Sequence, residues 1–456
     1  MQLTYGVNDK PSIGKVIVFA LQQLLAILAA TIAVPAIVGN GMSQSAALFG
    51  AGVGTIVYLL FTKFKSPVFL GSSFAFLPSL AAAFGGAAST SVGYAGLLIG
   101  AVLAGLVYVV IAIVVKFAGV KWIAKLMPPV VIGPTVAIIG LSLAGNAISD
   151  SLAGAFDATA SAYMMTPHVW VCLICALVTL FTVIACSVFG KKMAKLIPFI
   201  LGILAGYAVA LIFTLIGNAS GNAELVILDF SKFANMKWVP DFTFIEAFKG
   251  FGAVTGEYIA TVAVAYVPVA FVVFAEHIAD HKNLSSIIGT ELLEEPGLHR
   301  TLLGDGLATA IAGFLGGPSN TTYSENTGVL ATTGNYNPAI LRLAAVFAII
   351  MGLIGKFGAF LQTIPVPVKG GVELMLFGMI ASIGIRTIVE AKLDMTANRN
   401  LCVMAGTLCT GLGLVILGGI PLTFGSVTVN LSALFVATIV GVVLNLVLPG
   451  DKVEKK

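Results

Sequence analysis

Long apolar stretches alternate with short polar punctuation along the chain, and the charges mark the boundaries. Residues 16–62, 66–115 and 400–450 contain no Asp, Glu, Lys or Arg. A membrane-crossing helix takes about 20 apolar residues, so each of these stretches holds about two spans joined by a tight, uncharged connection. With Pro, Gly, Asn and charge clusters taken as breaks, the pattern predicts spans near residues 14–38, 44–62, 66–86, 93–117, 129–149, 167–189, 195–217, 256–281, 301–316, 318–334, 340–364, 367–389, 399–418 and 430–449. These make fourteen. The third and tenth, interrupted by polar or Gly-rich runs, read poorly as helices. The first stretch lacks a small-residue cleavage pattern and is read as a retained span, not a signal peptide.

Composition agrees with this reading. Of the 456 residues 58% are hydrophobic and only 10% charged, where a soluble chain carries roughly 25% charged residues. Too little charge is available to cover a soluble fold of this length, so most of the surface faces lipid. A soluble enzyme, a disordered scaffold and a nucleic-acid-binding domain are excluded. Cys172, Cys175, Cys186, Cys402 and Cys409 all lie in apolar stretches and are expected as small buried hydrophobes without a disulfide framework.

Basic residues orient the spans, because short cytoplasmic loops carry the excess of Lys and Arg. With Lys10 and Lys15 inside, the count puts Lys63, Lys65, Lys116, Lys121, Lys125, Lys191, Lys192, Lys195, Lys282, Arg300, Arg342, Arg386, Lys392, Arg399 and the 452–456 tail on the same side. The outside keeps Asp150, Asp157 and a loop at 218–250 that is not basic overall. Both termini are therefore expected in the cytoplasm.

Two halves of the chain share a spacing of Pro and Gly. Pro129, Gly133 and Gly140 recur as Pro367, Gly371 and Gly378, and the segment from Pro67 to Phe74 sits opposite that from Pro318 to Glu325. The paired segments fall in the fifth and twelfth spans and in the third and tenth. A repeat of seven spans is odd, so its second copy enters the membrane from the other side. Inverted repeats of this kind build secondary transporters whose broken helices meet near the bilayer midplane.

Carboxylates inside apolar spans cost several kcal/mol unless paired or hydrated, which makes them functional candidates. Glu276, His277, Asp280 and His281 follow a charge-free run from Tyr258 to Ala275. On a helix Glu276 and Asp280 share one face, and His277 and His281 another. Three readings compete: a ligand-binding acid with a proton-handling acid and histidines beside it, a metal site from the i, i+4 histidine pair, and a wet helix end. The metal reading lacks a third ligand. Glu325 lies in a polar run, residues 318–328, that is too polar for lipid and too short for a soluble loop, so its backbone must line protein or a cavity. Glu373, four residues after Lys369, reads as an internal ion pair. Asp305 lies between Gly304 and Gly306, which fits close helix packing around a capped acid as well as it fits function.

Two carboxylates accept N–H hydrogen bonds, backbone amides at broken helix ends donate to carbonyls, and Phe74 or Tyr323 can cover a flat ring. A planar ligand with N–H groups next to C=O groups satisfies all of these, and a pyrimidine base such as uracil is the simplest example.

At these residues the sequence resembles the nucleobase-ascorbate transporter family, most closely its bacterial uracil permeases. Glu325, Asn326 and Gly328 with Thr333 and Gly334 fit the family signature. The likeness takes in residues 70–76, 275–277, 295–300, 320–326 and 362–367, and so nearly the whole chain. It implies an all-α polytopic fold of fourteen spans in two inverted sevens, with short β-strands in spans 3 and 10. A core domain would comprise residues 1–118 and 251–364, and a gate domain residues 119–250 and 365–456. Glu276 and Glu325 would bind the base, and Phe74, Ser324, Tyr323, Ala30 and Phe377 would line the site. Glu276, Asp280, His277 and His281 would handle the coupling proton. The implied activity is import of uracil with a proton by alternating access across the cell membrane, by a homodimer in the lipid bilayer, without enzymatic activity, cofactor, metal or nucleic-acid partner.

Glu at 325, where purine and xanthine relatives usually carry Gln, favours uracil over those bases, although a purine or xanthine permease remains the nearest alternative. The sequence departs from the family at Gln22-Gln23, where Gln-His is frequent, and at Asp280, where some uracil permeases carry His. A membrane-embedded metallohydrolase using Glu276, His277 and His281 lacks a nucleophile elbow and a third ligand. An ATP-driven pump lacks the phosphate-binding loop.

Overall fold

Runs of apolar residues form helices here because every backbone polar group in a bilayer must be satisfied within its own segment. In this computed structural model, which describes residues 5–157, 162–191, 193–231, 238–240, 243–424 and 427–449, the first half runs α1 (Ile13–Val38), α2 (Gln44–Phe61), β1 (Leu70–Ser72), α3 (Leu77–Gly85), α4 (Thr90–Ala118), α5 (Lys121–Leu126), α6 (Pro129–Ser142), α7 (Ala144–Ser151), the short strands β2 (Phe156–Asp157) and β3 (Ala162–Tyr163), α8 (Pro167–Phe189), α9 (Met193–Leu196) and α10 (Pro198–Ser220). The second half runs α11 (Phe244–Gly250), α12 (Gly256–Ile288), α13 (Leu298–Phe314), β4 (Asn320–Thr322), α14 (Ser324–Thr333), α15 (Pro338–Leu353), α16 (Gly355–Gln362), α17 (Val366–Glu390), α18 (Asn398–Leu417), β5 (Ile420–Phe424), β6 (Val427–Leu431) and α19 (Ala433–Val447).

Helix starts follow local chemistry. Ser43, Ser89, Thr166, Thr255, Asn337 and Ser432 each accept a first-turn backbone N–H at the heads of α2, α4, α8, α12, α15 and α19, supplying donors that the helix itself cannot satisfy.

Among the described residues nine helices are long and apolar enough to cross a membrane: α1, α2, α4, α6 continued by α7, α8, α10, α12, α17 and α18. A bent pair, α15 and α16, turns by 82° and would be a tenth, while α19 is a shorter apolar helix. The remaining stretches expected as spans take other forms. Residues 301–316 fall on the 17-residue α13, and residues 66–86 and 318–334 each fold as a three-residue strand followed by a short helix.

Packing groups these elements. Helix α13 lies against α4 and α2, and α15 against α2 and α1. On the other side of the molecule α17 lies against α6, α7 and α8, and α18 and α19 pack together on α6. Glycines allow the closest crossings. A Cβ on Gly105 would meet the Gly306 carbonyl oxygen at 2.5 Å, joining α4 to α13, and one on Gly140 would meet the Phe377 carbonyl oxygen at 2.2 Å, joining α6 to α17. The close packing expected around Asp305 is present: a Cβ on Gly304 would lie 3.1 Å from Tyr58 Cα, and one on Gly306 2.7 Å from Tyr108 Cβ.

One expectation is corrected and another extended. Cys172 and Cys175 are buried, but Cys402 and Cys409 lie on the exposed face of α18, since a face turned to lipid is as apolar as a core face. The pair expected of Lys369 and Glu373 is a cluster that also includes Asp150, because α7 packs on α17 and brings that acid to Glu373.

Candidate functional site

The polar segments that interrupt the third and tenth stretches meet in the middle of the fold. Strands β1 and β4 pair antiparallel, Leu70 opposite Thr322, Gly71 opposite Thr321 and Ser72 opposite Asn320. A two-stranded ribbon leaves outer edges to satisfy, and side chains supply the partners. The Thr55 hydroxyl accepts from Leu70 N at 2.9 Å and donates to Leu70 O at 3.2 Å, Ser72 Oγ donates to Thr31 O at 3.0 Å, and Thr309 Oγ1 donates to Asn320 O at 2.9 Å. Tyr323 Oη donates to Ser72 O at 2.8 Å, folding its ring back over β1, and Gly71 makes room for it. A Cβ there would lie 2.4 Å from the ring. Each strand runs on into a short helix, α3 or α14, whose first-turn N–H groups lack intrahelical acceptors and carry partial positive charge.

Helix α12 passes beside the ribbon. Thr255 caps its start, accepting from Tyr258 N at 3.2 Å, and Gly289 ends it at φ +72°. Pro268 removes one backbone donor in mid-helix, and Ser79 Oγ of α3 donates to Ala265 O in the same turn at 2.6 Å. About two turns further along the helix come Glu276, His277, Asp280 and His281. A small cavity is lined by Glu276, Ala279 and Asp280 of α12, Phe74, Thr321, Thr322, Tyr323, Val136 of α6, and Ile380 and Ile383 of α17. Its free volume is about 20 Å³, enough for roughly one water. The Phe74 and Phe377 rings meet edge to face at 5.3 Å between centroids. Asp280 Oδ2 accepts from Thr322 Oγ1 at 2.5 Å.

The structure thus gathers Glu276, Asp280, Phe74 and Tyr323 on one cavity, with Phe377 in contact with Phe74. Ala30 is buried on α1 but is not among the cavity's lining residues. Ser324 and Glu325 begin α14 directly after Tyr323, and their side chains lie outside the described set. Their neighbour Asn326 donates from Nδ2 to Gln23 Oε1 at 2.5 Å, so Gln23 ties α1 to the helix that starts with Ser324.

The two histidines face elsewhere. His277 and His281 are both fully buried, and their rings stack at 4.1 Å. His277 Nδ1 lies 2.7 Å from Asp305 Oδ2 and Nε2 lies 2.9 Å from Thr301 Oγ1. His281 Nδ1 lies 2.7 Å from His277 O and Nε2 lies 2.6 Å from Tyr58 Oη, which also meets Ser66 Oγ at 2.8 Å. Val136, Ile380 and Ile383 were not anticipated from the sequence. Apolar residues in apolar spans carry no signal distinguishing a cavity wall from a lipid face.

A second, larger cavity of about 400 Å³ lies where the C-terminal ends of α1, α6 and α18 meet α3, α12 and the start of α19. Its wall is mostly apolar, with Ser79, Ser142, Asn146 and Ser432 among its residues. At the opposite end of α12, Val120, Ile123, Met127, Ile278, Lys282, Glu291 and Glu294 are among the residues that enclose about 180 Å³.

Comparison with known proteins gives a consistent result. A family model described as Permease family (Xan_ur_permease) matches residues 14–420. The chain is 40% identical to the uracil permease of Bacillus caldolyticus over 97% of this chain and 94% of that protein. It is 39% identical to that of Bacillus subtilis (strain 168) over 100% and 97%, and 34% identical to that of Escherichia coli (strain K12) over 97% and 93%. Among solved structures, the transmembrane domain of the cyanobacterial bicarbonate transporter BicA has a TM-score of 0.62 at 15% identity, covering 97% of this chain and all of that one. The murine anion transporter Slc26a9 in its inward-facing state has a TM-score of 0.63 at 11% identity, covering 96% of this chain and 68% of that one. At these identities the two structures speak for the fold alone. By the match over residues 14–420 and by relatives aligned along nearly its full length, the chain belongs to the permease family and is a multi-pass membrane transport protein.

Proposed function

We propose that the protein is a uracil:proton symporter that imports uracil by alternating access. The observation that carries the reading is the cavity where two carboxylates, Glu276 and Asp280, and two aromatic rings, Phe74 and Tyr323, converge beside the β1–β4 ribbon. Carboxylates accept the ring N–H groups of a pyrimidine, and the N–H groups at the starts of α3 and α14 donate to its carbonyls. Uracil as the substrate is supported by the uracil permeases among its relatives. Glu325, one residue into α14, is proposed as the second base-binding acid, with Ser324 backbone, Ala30 and Phe377 completing the site.

On this reading the fourteen stretches form two inverted sevens, with α1–α4 and α12–α16 as the core and α5–α10 and α17–α19 as the gate. The packing of α13 with α2 and α4 and of α15 with α1 and α2, and of α17, α18 and α19 with α6, supports that division. The cavity is walled by core residues on one side and by Val136, Ile380 and Ile383 of the gate on the other, so movement of core against gate opens it from the size of a water to that of a base. With the N-terminus in the cytoplasm, the 400 Å³ cavity lies at the outer end and the 180 Å³ cavity at the inner end. Each would serve as a vestibule in turn. Protonation of the cavity carboxylates would accompany uracil binding, so that an inward proton gradient drives accumulation.

Uptake of radiolabelled uracil into proteoliposomes tests the proposal. An acid-outside gradient should stimulate uptake, unlabelled uracil should compete better than xanthine, and Glu325→Gln should abolish uracil binding. Uptake indifferent to the gradient, or stronger competition by xanthine, would overturn it.

A further inference from the structure

The hydrogen bonds around His277 specify how many protons it shares. The Thr301 hydroxyl has one proton, and Thr301 Oγ1 donates it to Leu298 O at 3.0 Å. With that proton committed to Leu298, Thr301 accepts from His277 and His277 Nε2 carries a hydrogen; the reverse arrangement, with Thr301 donating to Nε2, would leave the buried pair with a net negative charge. The other ring nitrogen, Nδ1, is 2.7 Å from Asp305 Oδ2, and a hydrogen bond of that length needs a proton between the two atoms. Whether that proton sits on the imidazole or on the carboxyl, the pair holds it and has no net charge. An unprotonated pair would bury an uncompensated carboxylate in a position that is 0% exposed, which is strongly disfavoured.

His281 obeys the same arithmetic with a different answer. Its Nδ1 faces the His277 carbonyl, which only accepts, so Nδ1 carries the hydrogen. Its Nε2 then accepts from Tyr58 Oη, and the tyrosine in turn accepts from Ser66. His281 is fully buried with its hydrogen bonds to a carbonyl and a tyrosine and none to a carboxylate, so the neutral imidazole is favoured over an uncompensated buried charge. The titratable groups around the pair are Tyr108 from α4, Tyr58 from α2 and His281 from α12 itself, with Glu276 and Asp280 on the same helix turned to the cavity. Glu276 and Asp280 line the small cavity, whereas His277, His281 and Asp305 do not.

We infer that His277 and Asp305 form a sealed, net-neutral pair that keeps one proton throughout transport and positions Glu276, the residue next to His277 on α12. Asp305 is then a positioning residue for the substrate site, acting through His277 across the α12–α13 contact. The proton that travels with substrate is left to the carboxylates on the cavity. The transport arm of this inference rests on the proposed uracil symport, while its spectroscopic arm does not.

The test uses full-length protein in lipid with ¹⁵N-labelled histidine. The chain has four histidines, and His277→Gln and His281→Gln assign the two buried signals by difference. The expected result is a neutral Nδ1–H tautomer for His281, and for His277 a protonated Nε2 with a strongly hydrogen-bonded Nδ1. Both signals should stay unchanged from pH 5.5 to 8.5 and on adding uracil. In proteoliposomes Asp305→Asn should lower uracil uptake about tenfold to hundredfold, as misplacement of a reacting group does, with the residual uptake still stimulated by an acid-outside gradient. Asp305→Glu, which restores a shared proton, should recover part of the rate. A His277 signal that titrates in this range or moves with uracil would overturn the inference. So would an Asp305→Asn protein that exchanges uracil but no longer responds to the gradient. Should Asp305→Asn fail to fold, the wild-type spectra still decide. Failure of gradient-driven uptake in the wild type, with both spectra as expected, would count against symport and not against the sealed pair.

Discussion

Gly140 and Gly378 occupy the same place in the Pro–Gly repeat, yet the fold treats them oppositely. A Cβ on Gly140 would lie 2.2 Å from Phe377 O and 2.6 Å from Ala381 N, both backbone atoms of α17, whereas one on Gly378 would meet nothing within 4 Å. Backbone cannot swing aside as a side chain can, so Gly140→Ala must push α6 and α17 apart by about 1 Å to reach ordinary contact, and such overpacking costs about 1–3 kcal/mol. The better helix propensity of Ala returns roughly 0.5–1 kcal/mol at either position. The net expectation is a loss of up to about 2.5 kcal/mol for Gly140→Ala, and a gain of roughly 0.5–1 kcal/mol for Gly378→Ala. Thermal unfolding of the purified variants in detergent, followed by the fraction remaining monodisperse, reads both. Uptake should fall with Gly140→Ala alone, because α6 and α17 carry Val136, Ile380 and Ile383 on the cavity wall. Equal shifts in the two variants would refute the reasoning, since they would mean that close approach of α6 and α17 does not distinguish the repeats.

Two other substitutions probe the polar networks. Tyr58→Phe removes the donor to His281 Nε2 and the acceptor of Ser66, leaving buried groups unpaired, and should cost about 1–3 kcal/mol in thermal stability; an unchanged melting midpoint would count against the His281 network. Thr322→Val deletes the hydroxyl that Asp280 accepts from at 2.5 Å and should weaken uracil binding in equilibrium dialysis about tenfold, the effect of losing one hydrogen bond to a charged group, with little change in melting. Unaltered binding would remove Asp280 from the site.

Much of this architecture is legible along the chain. The charge-free stretches locate the helices, because a bilayer admits only segments that satisfy their own backbone. The weak third and tenth stretches fold as strand and short helix, at the polar positions 71–73 and 318–323 that broke their apolar pattern. Glu276 and Asp280 stood out because a carboxylate in an apolar run is costly, and both reach the cavity. His277 looked equally eligible beside them, and its neighbours on α13 could not be read from α12.

What the sequence determined by itself was therefore membrane character, the positions of most helices and the acids, since each rests on a cost paid locally by the segment that carries it. Only the tertiary structure decided which way each residue faces. Lipid and protein core are both apolar, so polarity does not tell an exposed Cys402 from a buried Cys175, or the wall residue Ile380 from the exposed Ile385. It also takes the packed fold to show that Gly140 touches α17 while Gly378 stands open, and that His277 turns from the cavity to Asp305. Those outcomes depend on helix crossings between residues far apart in the chain, and no local pattern encodes them.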